Sequence, residues 1–300
     1  MTKQIVLQEF GSMGEMTKQA GPGAPKYADL VAELERSGPA LVAFSGGVDS
    51  SFLLVAARDA LGSELKAVIG VSPSLQKENL LRAHRIAEAF DIELEESKTS
   101  ELEDPRYLQN DENRCFFCKA HLFGLLAEIA GRAGDRVVYD GTHADDRDSE
   151  RPGRRAAQQF GIRSPLAELG WTKRAIRDQS HRLGLETWDQ PASPCLSSRI
   201  QRGVGVTVTA LRRIESAEVW LRSRGFDTVR VRDQGGWARV EVGIEQLGRC
   251  LTESSEISEQ LEGLGFDRVV IDRDGYRSGG GNSPSRATDS GPGVVRKGQN

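Results

Sequence analysis

Apolar and polar positions follow two rhythms along this chain, and the rhythm changes near Arg202. In the longer first stretch, short apolar runs alternate with segments of helical spacing. An amphipathic segment near 27–36 leads into an apolar run at 40–44, and a helix follows to about Leu61. A second apolar run covers 64–71. Over 75–90, Leu80, Leu81, His84, Ile86, Ala87 and Phe90 recur at helical spacing. Residues 92–96 alternate as a strand does, 115–130 read as a helix, and 136–140 read as a strand ending at Gly141. A further helix is predicted over 172–183, with Thr172 as its cap. Strands alternating with helices of this length predict an α/β fold with a doubly wound parallel sheet. Ligands then bind at the carboxyl ends of the strands, so the loops after Phe44, Gly70 and Asp140 are expected to face one crevice.

Beyond Arg202 a helix at 208–224 precedes two short alternating runs, 228–232 and 238–242, with Gln234-Gly235-Gly236 as the turn between them. A helix at 245–263 and a strand at 267–272 complete a small α+β domain with an antiparallel hairpin. The expected organisation is a flexible tail over 1–26, an α/β domain over 27–200, the small α+β domain over 201–277 and a disordered tail over 278–300. The tails are assigned on composition: glycine and proline in the first, glycine, serine and polar residues in the second. No internal repeat is evident.

Charge and cysteine content narrow the setting. A net charge of −4 provides no global basic field for nucleic acid. No apolar run approaches the ~20 residues of a membrane span, and no secretory signal is evident. Four cysteines do not make a disulfide framework, which points to a reducing cytoplasm.

The candidate chemistry is densest after the first apolar run. Ser45-Gly46-Gly47-Val48-Asp49-Ser50-Ser51 lies between a predicted strand and a predicted helix. Glycines let the backbone turn and leave room for a ligand, and the first amides of a helix favour an anion. Ser45, Ser50 and Ser51 add hydroxyls, and Asp49 is a hard oxygen ligand suited to Mg²⁺. The loop lacks the lysine of a Walker-type loop. It resembles the PP-loop of the ATP pyrophosphatases, whose SGGxDS motif grips the β,γ-phosphates of ATP while AMP and pyrophosphate form.

A second cluster holds Cys115 and Cys118 in the run Asn113-Arg114-Cys115-Phe116-Phe117-Cys118-Lys119. Such a pair serves as a redox couple, half of a zinc site or part of an iron–sulfur site. The other partner expected for them is Cys195, in Pro194-Cys195-Leu196-Ser197-Ser198-Arg199. Three thiolates leave a Cys₄ zinc site incomplete and suit a [4Fe–4S] cluster with one iron open. Cys250, in a predicted amphipathic helix, reads as a small buried hydrophobe. The four histidines show no metal-ligand spacing.

A third cluster, Asp140-Gly141-Thr142-His143-Ala144-Asp145-Asp146, follows a predicted strand. Gly141 and Thr142 are candidates for contact with the nucleotide, and the carboxylates for a metal. A fourth is rich in arginine: Arg199, Arg202, Arg212, Arg213, Arg222, Arg224, Arg230, Arg232 and Arg239. Arg230 and Arg232 fall on one strand face, as a phosphate or carboxylate ligand requires, and Glu241 on the partner strand would orient them or touch substrate. A solvated, ion-paired face explains the same pattern.

Together these segments resemble the LarE family of ATP-dependent sacrificial sulfur transferases. The resemblance rests on Val71-Ser72-Pro73-Ser74, Asp104-Pro105-Arg106-Tyr107, the Cys115–Cys118 run, the element from Asp140 to Asp146, Arg151-Pro152-Gly153, Arg163-Ser164-Pro165-Leu166-Ala167-Glu168, and Pro191-Ala192-Ser193 leading to Cys195. It spans about 27–277 and departs at His143, where the family pattern has Asn. The resemblance implies adenylation of the carboxylates of pyridinium-3,5-biscarboxylic acid mononucleotide by ATP, and sulfur transfer to give thiocarboxylates. The product is the organic part of the nickel-pincer cofactor of lactate racemase. It also implies ATP contacts from Ser45, Gly46, Gly47, Asp49, Ser50, Ser51, Ser72, Gly141 and Thr142, with Mg²⁺ on Asp49. Substrate contacts fall to Arg199, Arg230, Arg232 and Glu241, the arginines meeting the mononucleotide phosphate. In single-cysteine members the residue matching Cys195 gives up its own sulfur and ends as dehydroalanine. Members with the additional pair carry a [4Fe–4S] cluster able to hold an extra sulfide, and Cys115, Cys118 and Cys195 imply that type here.

The rival reading is a PP-loop enzyme that thiolates tRNA, which calls for a basic face and an RNA-binding module. An amidotransferase-type ligase leaves the cysteines unused, and a carrier keeps the loop without turnover. Expected partners are a small-molecule substrate and a sulfide source the sequence does not identify, with no nucleic acid or membrane; self-assembly into a homo-oligomer is plausible.

Overall fold

The computed structural model describes residues 25–146 and 152–277. The expected tails, apart from Pro25 and Lys26, lie outside the described residues, as does Arg151 of the Arg-Pro-Gly element. The chain divides into two compact units between Cys195 and Leu196.

The first unit runs α1 (Tyr27–Arg36), β1 (Ala40–Ala43), α2 (Val48–Leu61), β2 (Leu65–Val71), α3 (Lys77–Ala89), β3 (Leu94–Lys98), α4 (Pro105–Leu108), α5 (Arg114–Arg132), β4 (Val137–Tyr139), α6 (Pro152–Gln159), α7 (Pro165–Glu168) and α8 (Lys173–Arg182). Its four strands lie in the order β3-β2-β1-β4, all parallel. Successive residues of a strand point to opposite faces, and here both faces are covered. Ala40 and Val42 of β1 join a core with Leu30, Leu34, Phe52, Leu53, Ile86 and Ile176, contributed by α1, α2, α3 and α8. Leu41 between them joins a second core with Phe123 and Leu126 of α5 and Ala156 and Ala157 of α6. Burial on both faces is why β1 and β2 read as apolar runs, whereas the edge strand β3 alternates. The chain lays β2 and β3 on one side of β1 and then returns to place β4 on the other. The loops leaving β1 and β4 therefore diverge at a topological switch point, the crevice where such sheets bind ligands.

The second unit runs α9 (Val208–Ser223), β5 (Val229–Asp233), β6 (Ala238–Val242), α10 (Leu247–Thr252), α11 (Ser254–Gly263) and β7 (Val269–Ile271). Its sheet is mixed: β5 and β6 pair antiparallel, and β7 lies parallel to β6. In the hairpin turn the Asp233 carboxylate accepts from the amides of Gly235 and Gly236, both at positive φ. Val229, Val231, Val240 and Val242 are fully buried.

Two expectations need correction. Leu81 is not part of the inner face of α3, which packs through Ala83, Ile86 and Ala87; Leu81 points outward and is 62% exposed. The helix expected over 245–263 is broken at Glu253, where ψ rises to 9° and α10 ends. The Thr252 hydroxyl there bonds back to the Gly248 carbonyl, a competitor to continued helix. Among the described residues no helix is long and apolar enough to cross a membrane.

Candidate functional site

The loop after β1 is shaped by close approach. Gly46 has φ of 69°, and a Cβ on it would stand 2.8 Å from the Asn79 carbonyl oxygen in the first turn of α3. Gly141, just past β4, comes as close from the other side: its Cβ would meet the Ser50 amide nitrogen at 2.9 Å. Both positions demand glycine for space, Gly46 also for its backbone. Gly47 caps α2 without a side-chain hydrogen bond, leaving the helix's first amides to a ligand. The hydroxyls tie the loop to itself. Ser45 and Ser50 share a 3.0 Å hydrogen bond, and Ser51 donates to the Gly47 carbonyl at 2.8 Å. A self-bonded cradle results, with the first turn of α2 left without a side-chain cap.

Asp49 sits in the first turn of α2 and is fully engaged. Lys173 donates to both its carboxylate oxygens, at 2.7 and 2.6 Å. Lys173 is the first residue of α8; its amide donates to Asp145 at 2.7 Å, and Thr172 accepts from the Ala175 amide as the helix cap. Asp145 thus anchors a helix start. Asp146 faces His143, whose Nε2 lies 3.5 Å from its carboxylate. The third cluster's deeper carboxylate, Asp140, is buried and saturated. It accepts from the Thr142 hydroxyl at 2.8 Å and the Ser164 hydroxyl at 2.7 Å, with Lys119 3.7 Å away. The loop after β4 is therefore held by its own acid, with Thr142 bound inward.

Ser72 and Ser74 after β2 both donate to Oε1 of Glu101, which is almost fully buried. Among the described residues its Oε2 has no hydrogen-bond partner. Ser72 is thereby committed to a neighbour across the sheet edge.

The cysteines of interest lie in the same unit. Cys115 and Cys118 stand in the opening turns of α5. Cys195 follows a segment pinned to α3: Gln76 donates to the Ser193 hydroxyl at 2.9 Å and the Pro194 carbonyl at 3.0 Å, and Ser193 donates to Asn79. Asn79 thus touches the glycine loop through its backbone and the Cys195 segment through its side chain. Burial first, then the nearby Cys195, Glu101 and Cys115, push the Cys118 thiol far above its ordinary value. None of the four cysteines is in a disulfide. Among the described residues no three His, Cys, Asp or Glu side chains converge on a point that would hold a single metal ion. Cysteines of an iron–sulfur cluster each hold a different iron and need no such convergence, and the all-thiol donor set is the one that chemistry uses. Asp49 would offer Mg²⁺ one carboxylate, an arrangement that Mg²⁺ accepts when phosphates and water fill the remaining positions. Cys250 is fully buried in α10, and burial pushes its thiol up to about 11.

In the second unit the register pairs Arg230 with Glu241 and Arg232 with Arg239, so all four share one sheet face. That face is buried. Arg232 donates to Glu241 at 2.5 Å, and Arg239 lies 3.0 Å from the same oxygen. Arg230 stacks over the Tyr276 ring, and burial followed by the charge of Arg199 pushes it below its ordinary value. Arg199, expected among the substrate contacts, is wholly enclosed and paired with Glu218 at 3.0 Å, both side chains at 1% exposure or less.

Four participants escaped the sequence reading: Lys173, Glu101, Asn79 and the pairing carboxylate Glu218. Only Lys173 carries a local signal. It and Arg174 open α8, where the helix dipole disfavours cations.

No protein-family model matches the chain. An uncharacterized protein of Synechocystis sp. is 43% identical over 249 residues, covering 82% of this chain and 92% of its own. The pyridinium-3,5-bisthiocarboxylic acid mononucleotide synthase of Lactiplantibacillus plantarum is 35% identical over 257 residues, covering 85% of this chain and 93% of its own. An uncharacterized protein of Methanocaldococcus jannaschii is 29% identical over 238 residues, 79% of this chain and 90% of its own.

Proposed function

The chain belongs to the LarE family, that of the pyridinium-3,5-bisthiocarboxylic acid mononucleotide synthase, and from that premise we propose that it is an ATP-dependent sulfur transferase acting on a pyridinium dicarboxylate mononucleotide. The observation that carries the reading is the glycine loop at the switch point, where Gly46 and Gly141 let α3 and the loop after β4 pack close and the first turn of α2 has no side-chain cap. A substrate carboxylate oxygen attacks the α-phosphorus of ATP, the α–β bridging bond breaks, and pyrophosphate leaves with the bonding pair. The loop amides and the hydroxyls of Ser45, Ser50 and Ser51 stabilise the charge developing on pyrophosphate. Mg²⁺ held on Asp49 would add Lewis-acid stabilisation there. Adenylation makes a poor electrophile reactive. A sulfur nucleophile then attacks the acyl carbon, and the C–O bond to AMP breaks to leave a thiocarboxylate.

Cys195 is the proposed sulfur-handling residue, supported by its attachment through Ser193 and Asn79 to the loop. Cys115, Cys118 and Cys195 would hold a [4Fe–4S] cluster, which when bound would offer sulfide at an open iron and so allow repeated turnover. Arg230, Arg232 and Glu241 of the second unit are the proposed substrate residues, with Arg239 on the same face. The unlinked cysteines are consistent with a cytoplasmic protein.

The test is pyrophosphate release from ATP in the presence of the pyridinium dicarboxylate mononucleotide, of tRNA, or of neither. Stimulation by the mononucleotide alone is expected. Stimulation by tRNA would replace this reading with tRNA thiolation. Cys195→Ala is expected to abolish thiocarboxylate formation while pyrophosphate release continues.

A further inference from the structure

We propose that Lys173 is the resident counter-ion of Asp49: it holds the carboxylate while the crevice is empty, and yields it to the divalent cation that arrives with the nucleotide, its ammonium passing to the nucleotide phosphates. The inference deepens the adenylation reading and rests on it.

The geometry makes the two states exclusive. Both Asp49 oxygens accept from the one ammonium, at 2.7 and 2.6 Å. A metal bound to either needs an oxygen at about 2.1 Å, a position that the ammonium's charge and bulk oppose. Metal loading therefore requires Lys173 to leave. Its backbone does not have to move. The Lys173 amide is fixed on Asp145, and the Thr172 hydroxyl caps the same turn, so α8 stays in place while the flexible stem pivots. Both partners retain solvent access, 33% for Lys173 and 25% for Asp49, which leaves a path for the exchange. The anions around the released ammonium are already committed. Asp145 holds the Lys173 amide, and Asp140 is saturated by Thr142 and Ser164 with Lys119 beside it. The remaining high-density negative charge is the triphosphate in the cradle. A lysine as first residue of a helix works against the dipole, so helix formation does not account for it. The exchange does.

This design has a signature that an ordinary structural ion pair lacks: removing the ammonium strengthens metal binding and weakens nucleotide binding. The experiment compares full-length wild type, Lys173→Met and Lys173→Arg, with circular dichroism and melting curves establishing that each is folded. Mn²⁺ alone is titrated by electron paramagnetic resonance, and α,β-methylene-ATP with Mg²⁺ by calorimetry. Lys173→Met is expected to bind Mn²⁺ about tenfold more tightly and the nucleotide about tenfold more weakly, the scale of one charge-assisted hydrogen bond. Lys173→Arg is expected to restore most of the nucleotide affinity. Should Lys173→Met melt early, Lys173→Gln takes its place. Unchanged Mn²⁺ affinity in Lys173→Met, or unchanged nucleotide affinity in it where the wild type binds nucleotide, overturns this proposal alone. A wild type that binds no nucleotide overturns the adenylation reading and this proposal with it.

Discussion

Charge is handled in opposite ways by the two units. In the first, the candidate site stands at the open ends of parallel strands. Its ion pair, Asp49 with Lys173, is a quarter to a third exposed and its cradle is lined by backbone amides. In the second, the charged face of the hairpin is buried. Arg199 and Glu218 are enclosed, and Arg232 and Arg239 share one oxygen of Glu241. An amide cradle needs no counter-ion before its ligand arrives. Buried guanidiniums do, because an unpaired charge out of water is unfavourable by several kcal/mol. The second unit therefore carries internal carboxylates that pair its guanidiniums, whereas the first unit's loop is lined by the opening turn of α2 and bears one lysine on Asp49.

That contrast can be broken by mutation. The largest effect is expected at Asp49→Ala, which should lower mononucleotide-dependent pyrophosphate release by about a thousandfold, several kcal/mol of transition-state stabilisation. Iron content should be unchanged, as Asp49 stands apart from the cysteines in role. Glu218→Ala should destabilise the second unit by about 3–5 kcal/mol, the scale for removing one partner of a buried ion pair, seen as a lower denaturant midpoint. Loss of substrate affinity at full stability would instead make the Arg199–Glu218 pair part of the binding face. Arg232→Ala should weaken mononucleotide binding by about tenfold and leave ATP binding intact, as two calorimetric titrations would reveal. Equal weakening of both would erase the proposed division of labour between the units.

The smallest effect concerns pH. Hydrogen bonds from Arg106 hold Asp104 well below the ordinary carboxylate range, with His121 assisting. A carboxylate with a lowered folded-state pKa contributes stability above the unfolded value, about 3.9, and loses it as pH falls through the folded value. Wild type should therefore exceed Asp104→Asn in stability at neutral pH, with the gap closing in strong acid. A constant gap from pH 7 to pH 2 in parallel denaturation curves would assign the difference to packing.

The inner part of the parallel sheet was legible because β1 and β2 are covered on both faces and so appear as apolar runs, as at Leu41, Val42 and Ala43, while the edge strand β3 showed by alternation. Short helices escaped: α4, α6 and α7 are too brief for a helical period to register, although each opens on a proline at a position helices tolerate. Within the candidate site, the glycines and Asp49 announced themselves by local pattern. The strand period also put Arg230 and Arg232 on one face. Nothing local announced Glu218, Asn79 or Glu101, whose roles arise from packing between segments distant in the chain. Lys173 lay between these cases, visible as a cation where a helix start disfavours one.

The most direct test of the account is an anaerobic reaction of purified protein with ATP, sulfide and the pyridinium dicarboxylate mononucleotide, in which pyrophosphate and thiocarboxylate are counted together. The account calls for one pyrophosphate per thiocarboxylate, with product exceeding the number of protein chains. Thiocarboxylate formed without pyrophosphate, or no pyrophosphate that depends on the mononucleotide, would contradict it.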